Sequence, residues 1–229
     1  MDSLLDKAEA LDSYRFRCRE NEFNNMGRSG NQYIFHADPV LQEKAESCLA
    51  KYEVGKGCRV ITLHPSADEG FPHTRPPNLI CLPTSYHSEL EETMLHEALH
   101  IHQRNNPDLW IAYSIRQGWW PVSSWEVPDR WRDRCRINPD TITRPFWSWQ
   151  NRWIPLPLFV SEARPLLSRC DIRWFDMEKG VLETKIPDSF TKRYGIISQP
   201  EHPYETGAVE LSRRKISSYK DLERVLKTE

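Results

Sequence analysis

The 229-residue chain has no long apolar run, no block of like charge and no closely paired cysteines, and each absence removes a class of protein. No stretch approaches the roughly 20 apolar residues that a membrane-spanning helix needs. The start, Met1 to Lys7, is charged and lacks the apolar core of a secretory leader, so the expectation is a cytoplasmic protein that does not engage a membrane. Lys and Arg total 31 against 33 Asp and Glu, a net charge of -2, and no basic tract is present; this argues against a nucleic-acid partner. The six cysteines (Cys18, Cys48, Cys58, Cys81, Cys135, Cys170) form no Cys-x-x-Cys pair and suit free thiols better than a disulfide framework or a zinc knuckle. What is plentiful is Trp, nine, and Pro, seventeen, a composition of irregular, well-packed loops and not of a regular bundle or repeat array.

Against that background the segment His96-Glu97-Ala98-Leu99-His100 carries the chemistry. Residues four apart on an α-helix lie one turn above each other, so His96 and His100 can aim two imidazoles at one metal ion. Glu97 sits beside them, in reach of a water on that metal as a general base. The competing reading makes the two histidines satisfied core residues or part of a polar stripe. The surrounding pattern predicts a largely buried helix: Ser88 and Glu91 form a capping-box sequence, and Glu89, Glu91 and Glu92 crowd the first turn. Leu90, Met94, Leu95, Ala98, Leu99 and Ile101 supply the apolar surface, and Asn105-Asn106-Pro107 is the stop.

Elsewhere, helical periodicity marks residues 2–19, 38–52, 108–117, 128–136, 203–215 and 219–226. Strands are expected at 58–63 and 78–83, separated by a Pro-rich loop at 65–77, with a hairpin from 172–176 and 181–184. Residues 146–160 read as extended or looped. The chain is expected to be a single α+β domain, 1–229, with an N-terminal lobe (1–107) holding the motif helix and a C-terminal lobe (108–229) that is helical and aromatic-rich.

A catalytic zinc takes three protein ligands and keeps one position for water. The spaced third histidine and glycine of the metzincins are absent after His100. Glu205, in His202-Pro203-Tyr204-Glu205-Thr206-Gly207-Ala208, is the best carboxylate, because Pro203 suits the first position of a helix and places Glu205 in its first turn. Gly207 and Ala208 are small enough to let that helix approach the motif helix. Glu162, Glu201, His202, Glu210 and Asp171 are rivals. His102, two residues from His100, diverges around the helix and is not expected at the metal.

These two segments resemble the zincin metallopeptidases, in particular the gluzincin-like group with two His and one Glu on the metal. The resemblance implies a zincin-like fold, a small mixed sheet packed on the motif helix, with Zn2+ bound by His96, His100 and Glu205 and Glu97 as catalytic base. It further implies a peptidase, with residues 78–82 as an edge strand that pairs with a peptide substrate. Tyr204, Tyr194, His202 and Arg193 are candidates for stabilising the oxyanion. Trp119, Trp120, Trp125, Trp131, Trp147, Trp149 and Trp153 either line a substrate pocket or pack the lobe. Arg132, Arg134, Arg136 and Arg144 either hold an acidic group or stack on those rings. Two alternatives stay open: a zinc enzyme acting on a small molecule or specialised amide, and a non-catalytic metal-binding or structural protein. The ligand set admits other divalent metals, and nothing in the sequence sets an oligomeric state.

Overall fold

The computed structural model describes residues 2–197 and 199–229 and is a mixed α and β structure. Among these residues the helices are α1 (Asp2–Asp12), α2 (Tyr14–Glu20), α3 (Glu22–Gly27), α4 (Pro39–Leu49), α5 (Leu90–Asn105), α6 (Pro107–Arg116), α7 (Asp129–Arg132), α8 (Asp188–Tyr194), α9 (Pro203–Arg213) and α10 (Tyr219–Thr228). The strands are β1 (Arg59–Leu63), β2 (His73–Arg75), β3 (Leu79–Pro83), β4 (Trp119–Pro121), β5 (Trp147–Trp149), β6 (Trp153–Phe159), β7 (Cys170–Asp176) and β8 (Val181–Glu183). No described helix is long and apolar enough to cross a membrane, and all six cysteines are free.

The first sheet has the order β1-β3-β2, with β1 and β3 parallel and β2 antiparallel. Alternation along its strands serves two faces. Val60, Ile80 and Leu82 join Leu95, Ala98 and Leu99 of α5 in the main core. Ile61, Leu63, Leu79 and Cys81 pack with Ala8 and Ala67 on the other side. With both faces covered, the strands are apolar nearly throughout. The motif helix thus lies on a small mixed sheet.

Three expectations need correction. Residues 2–19 do not form one helix: Ser13 takes left-handed backbone at φ 53°, and the Asp12 carboxylate accepts the Tyr14 N–H to restart the chain as α2. The capping box does not form either. Helix α5 begins at Leu90, and the Glu91 carboxylate is drawn off by tertiary donors, Tyr52 Oη at 2.9 Å and the ammonium of Lys51. The loop expected at 65–77 contains β2, whose pairing with β3 makes β3 an internal strand.

The C-terminal half is not simply helical. Its aromatic residues build a five-stranded antiparallel meander, β4-β5-β6-β7-β8. Trp119, Trp147, Trp149 and Trp174 are buried in the main core beside Phe190 of α8. Pro155 and Pro157 sit in β6, where β7 is the full-length partner and β5 pairs only at Trp153. The Pro157 carbonyl faces away from β7 and accepts the Arg136 N–H at 2.8 Å, while the Phe159 N–H donates to the Arg134 carbonyl. Proline is tolerated on such an edge because its missing N–H costs no ladder bond. The segment following Arg134 is thereby strapped to the sheet and carried toward α9.

Candidate metal centre

Helix α5 positions two of the candidate ligands and the candidate base. Its apolar residues Met94, Leu95, Ala98, Leu99 and Ile101 are buried, and so are Glu97, His100 and Gln103. A helix interior with charged and amide groups buried alongside its core face must satisfy them elsewhere. The partner is α9. Pro203 opens that helix, His202 caps it by accepting the Tyr204 N–H on Nδ1, and Glu205 falls in the first turn. Every residue from Pro203 to Val209 is buried, so this turn lies inside the protein. Gly207 packs tightly on α6 and not on α5: a Cβ there would meet the Trp110 ring at 3.0 Å.

The two helices bring His96, His100 and Glu205 together, as the sequence led one to expect. His96 Nε2 lies 2.9 Å from His100 Nε2, and Glu205 Oε2 lies 3.4 Å from the first and 3.2 Å from the second. Donors held about 2.0–2.1 Å from a tetrahedral zinc stand about 3.3 Å apart, so this triangle has the dimensions of three corners of such a site. Glu205 Oε2 and Glu97 Oε2 are buried without a hydrogen-bond partner, while the other Glu205 oxygen, Oε1, accepts from Asn138 Nδ2 at 2.7 Å. Two imidazoles and one carboxylate are a donor set of catalytic zinc sites, and their geometry here fits a metal ion.

Charge is redistributed within the cluster. Burial works to raise the Glu205 pKa, but the neighbouring His100 and His96 overcome it and hold the carboxyl well below its usual range. Burial works to lower His100, but the Glu205 charge wins and carries it up to about 10. Glu97 moves the other way: its burial, reinforced by the Asp140 charge, pushes it well above the usual carboxylate range. One carboxylate is thus held ionised and the other favours its proton, the separation expected when two acids have different tasks.

His96, Glu97 and Glu205 line a cavity of about 380 Å³, whose wall also includes Tyr14, Arg28, His73 and Arg136. No tryptophan is among the lining residues; Trp119, Trp147 and Trp149 pack the core, and Trp125 is 78% exposed. Of the four arginines, Arg136 reaches the cavity and pairs with Glu201 at 2.9 Å. Arg134 stacks on Trp131 and Arg144 on Trp147, while Arg132 pairs with Asp129.

The rival ligands are otherwise engaged. Glu162 pairs with Arg134, Asp171 with Arg173, and Glu210 with Arg193 and Arg214. His202 spends Nδ1 on the α9 cap and Nε2 on the Arg144 carbonyl. His102 accepts from Trp110 Nε1. The proposed oxyanion donors fare no better. Tyr194 Oη accepts from Trp119 Nε1, Arg193 is held by Gln117 and Glu210, and neither these two nor Tyr204 lines the cavity.

The substrate-strand expectation also fails, for a topological reason. Strand β3 has neighbours on both sides, and the outer strand β2 is closed at Thr74, whose N–H donates to Asp140 Oδ1 at 2.7 Å and whose carbonyl accepts from Arg104. Sequence reasoning missed two residues around the ligands, Asn138 and Gln103. Asn138 had no signal, because its role comes from the strap; Gln103 had one, since it follows His100 at helical spacing. No known family, curated protein or solved structure matches the chain.

Proposed function

We propose that the protein is a zinc-dependent hydrolase of the zincin type that cleaves an amide bond, a metallopeptidase in the sense of the resemblance carried by its motif. The observation supporting this is the convergence of His96, His100 and Glu205 at metal-ligand spacing with Glu97 on the wall of the same cavity. A zinc ion held by those three residues supplies Lewis acidity and a water of lowered pKa. With the ion in place, the Glu97 carboxylate would take up the proton released as the carbonyl is attacked and return it to the leaving amine. Its raised pKa strengthens it as a base once ionised, and a cation held by the neighbouring residues would favour that ionised form. Glu205, held ionised, contributes negative charge to the cation. Six free thiols favour a reducing compartment, in keeping with a cytoplasmic enzyme.

A second reading concerns the substrate. The edge of β2 is sealed at Thr74 by Asp140 and Arg104, which favours a short peptide or small amide lodged in the cavity over an extended chain added to the sheet.

Elemental analysis and one variant test the proposal. Purified protein is expected to hold near-stoichiometric zinc and to lose hydrolysis on chelation. Glu97→Gln is expected to keep the zinc and lose activity by about 10²–10⁴-fold. Protein without bound metal would defeat the hydrolase reading, and full activity in Glu97→Gln would remove its base. Blocked dipeptides cleaved faster than unfolded protein would favour the compact substrate.

A further inference from the structure

Gln103 is 1% exposed, and both ends of its amide are committed. Its Nε2 donates to the Tyr204 carbonyl at 2.9 Å, and its Oε1 lies 2.7 Å from His100 Nδ1. The first contact decides the second. A carbonyl oxygen can only accept, so the amide nitrogen must face Tyr204 and the amide oxygen must face His100. An oxygen there requires a proton on His100 Nδ1. A neutral imidazole carries one proton, so the lone pair is left on Nε2, the atom that faces His96 and Glu205.

Tyr204 immediately precedes Glu205 in the first turn of α9. The same amide therefore sets the tautomer and rotation of the second histidine and fixes the height of the turn that carries the carboxylate. Its reach depends on position. Gln103 follows His100 by one helical turn, which brings the two side chains together on one face, and the small residues Gly207 and Ala208 allow α9 to lie deep in the core.

We propose that Gln103 is the positioning residue of the metal centre, one amide that orients both His100 and the Glu205-bearing turn for a divalent cation. The inference rests on the zinc reading above, and its test can fail separately from it. Gln103→Leu removes both contacts at similar size. Gln103→Glu keeps an acceptor for His100 but sets a second oxygen against the Tyr204 carbonyl. Zinc affinity is measured by competition with a chromophoric chelator, and coordination by the visible d–d bands of the Co2+-loaded protein, with circular dichroism to establish folding.

Partners that orient a ligating histidine are worth about 10–100-fold in metal affinity, and that loss is expected for Gln103→Leu. Gln103→Glu is expected to lose less, with shifted Co2+ bands, because a carboxylate behind the imidazole makes it a stronger donor. Should Gln103→Leu not fold, the Co2+ spectrum of Gln103→Glu decides. Wild-type affinity in folded Gln103→Leu, or an unshifted spectrum in Gln103→Glu, would overturn the positioning role while leaving the zinc reading intact. Wild-type protein that takes up neither zinc nor cobalt would overturn the zinc reading itself, and the positioning role with it.

Discussion

The α5–α9 contact and the five-stranded sheet are both deeply buried, yet they fill their interiors with opposite materials. Between the helices, Glu97, His100, Gln103 and Glu205 are each no more than 4% exposed. In the sheet the corresponding volume is taken by Trp119, Trp149 and Trp174 with Phe190, whose rings meet at 4.9–5.8 Å centroid spacing, while Trp147 packs on His202 and Tyr204 at the start of α9. Buried aromatic pairs add stability beyond the area they cover. Buried ionisable groups do not: desolvation offsets most of what their pairing returns, and apolar replacements of similar shape are often as stable or more so. The fold thus sets a tryptophan-rich part of its core beside a cluster of carboxylates and imidazoles, with Trp147 touching both.

Substitutions on each side can break that contrast. The largest stability effect belongs to the sheet: Trp174→Ala, at a fully buried ring against Phe190, is expected to cost about 3–5 kcal/mol in a denaturant titration. The zinc affinity of the fraction that remains folded should stay at the wild-type value. A parallel loss of zinc affinity in folded protein would show that the regions are not separable.

On the helical side the contrast is read through protons. His100 of the metal-free protein, with its pKa carried up to about 10, is protonated at pH 7, while Glu205, held well below its usual range, is already ionised. A zinc ligand must be a neutral imidazole, so binding displaces the His100 proton. Calorimetry in buffers of different ionisation enthalpy is expected to show about one proton released from this residue at pH 7. Affinity should rise about tenfold per pH unit and level off near pH 10. A pH-independent affinity would mean that His100 is not a ligand.

How much of this was legible in the sequence depended on whether the signal was local. His96, Glu97 and His100 lie within one turn and a half of a single helix, where period alone aligns them. Glu205 was found because Pro203 announces a helix start, which is a local rule too. Local rules failed where tertiary partners outbid them. Glu91 left its capping position for Tyr52 and Lys51, and β2 owes its three-residue strand to the presence of β3. The meander was read only in part. Its strands run from three to seven residues and are punctuated by Pro155 and Pro157, whose strand β6 bonds β7 on one side and the segment at Arg134 and Arg136 on the other. Asn138 was silent for the same reason: it reaches Glu205 on a strap whose path is set by β6.

The wide spacing of the ligands along the chain has a mechanical consequence. His100 and Glu205 sit on either side of the whole antiparallel meander, β4 to β8, together with α6 to α8. An ion gripping both residues is then a reversible cross-link that closes this long loop, a staple in the same sense as a disulfide but one set by metal concentration. A ligand bound only by the folded chain adds about 4 kcal/mol at a thousand times its dissociation constant. On the proposed function, free zinc should raise the melting point of the tryptophan sheet along with that of the helices, in one shared transition followed by fluorescence and circular dichroism. The sheet, which contributes none of the metal's ligands, would be held shut by it all the same.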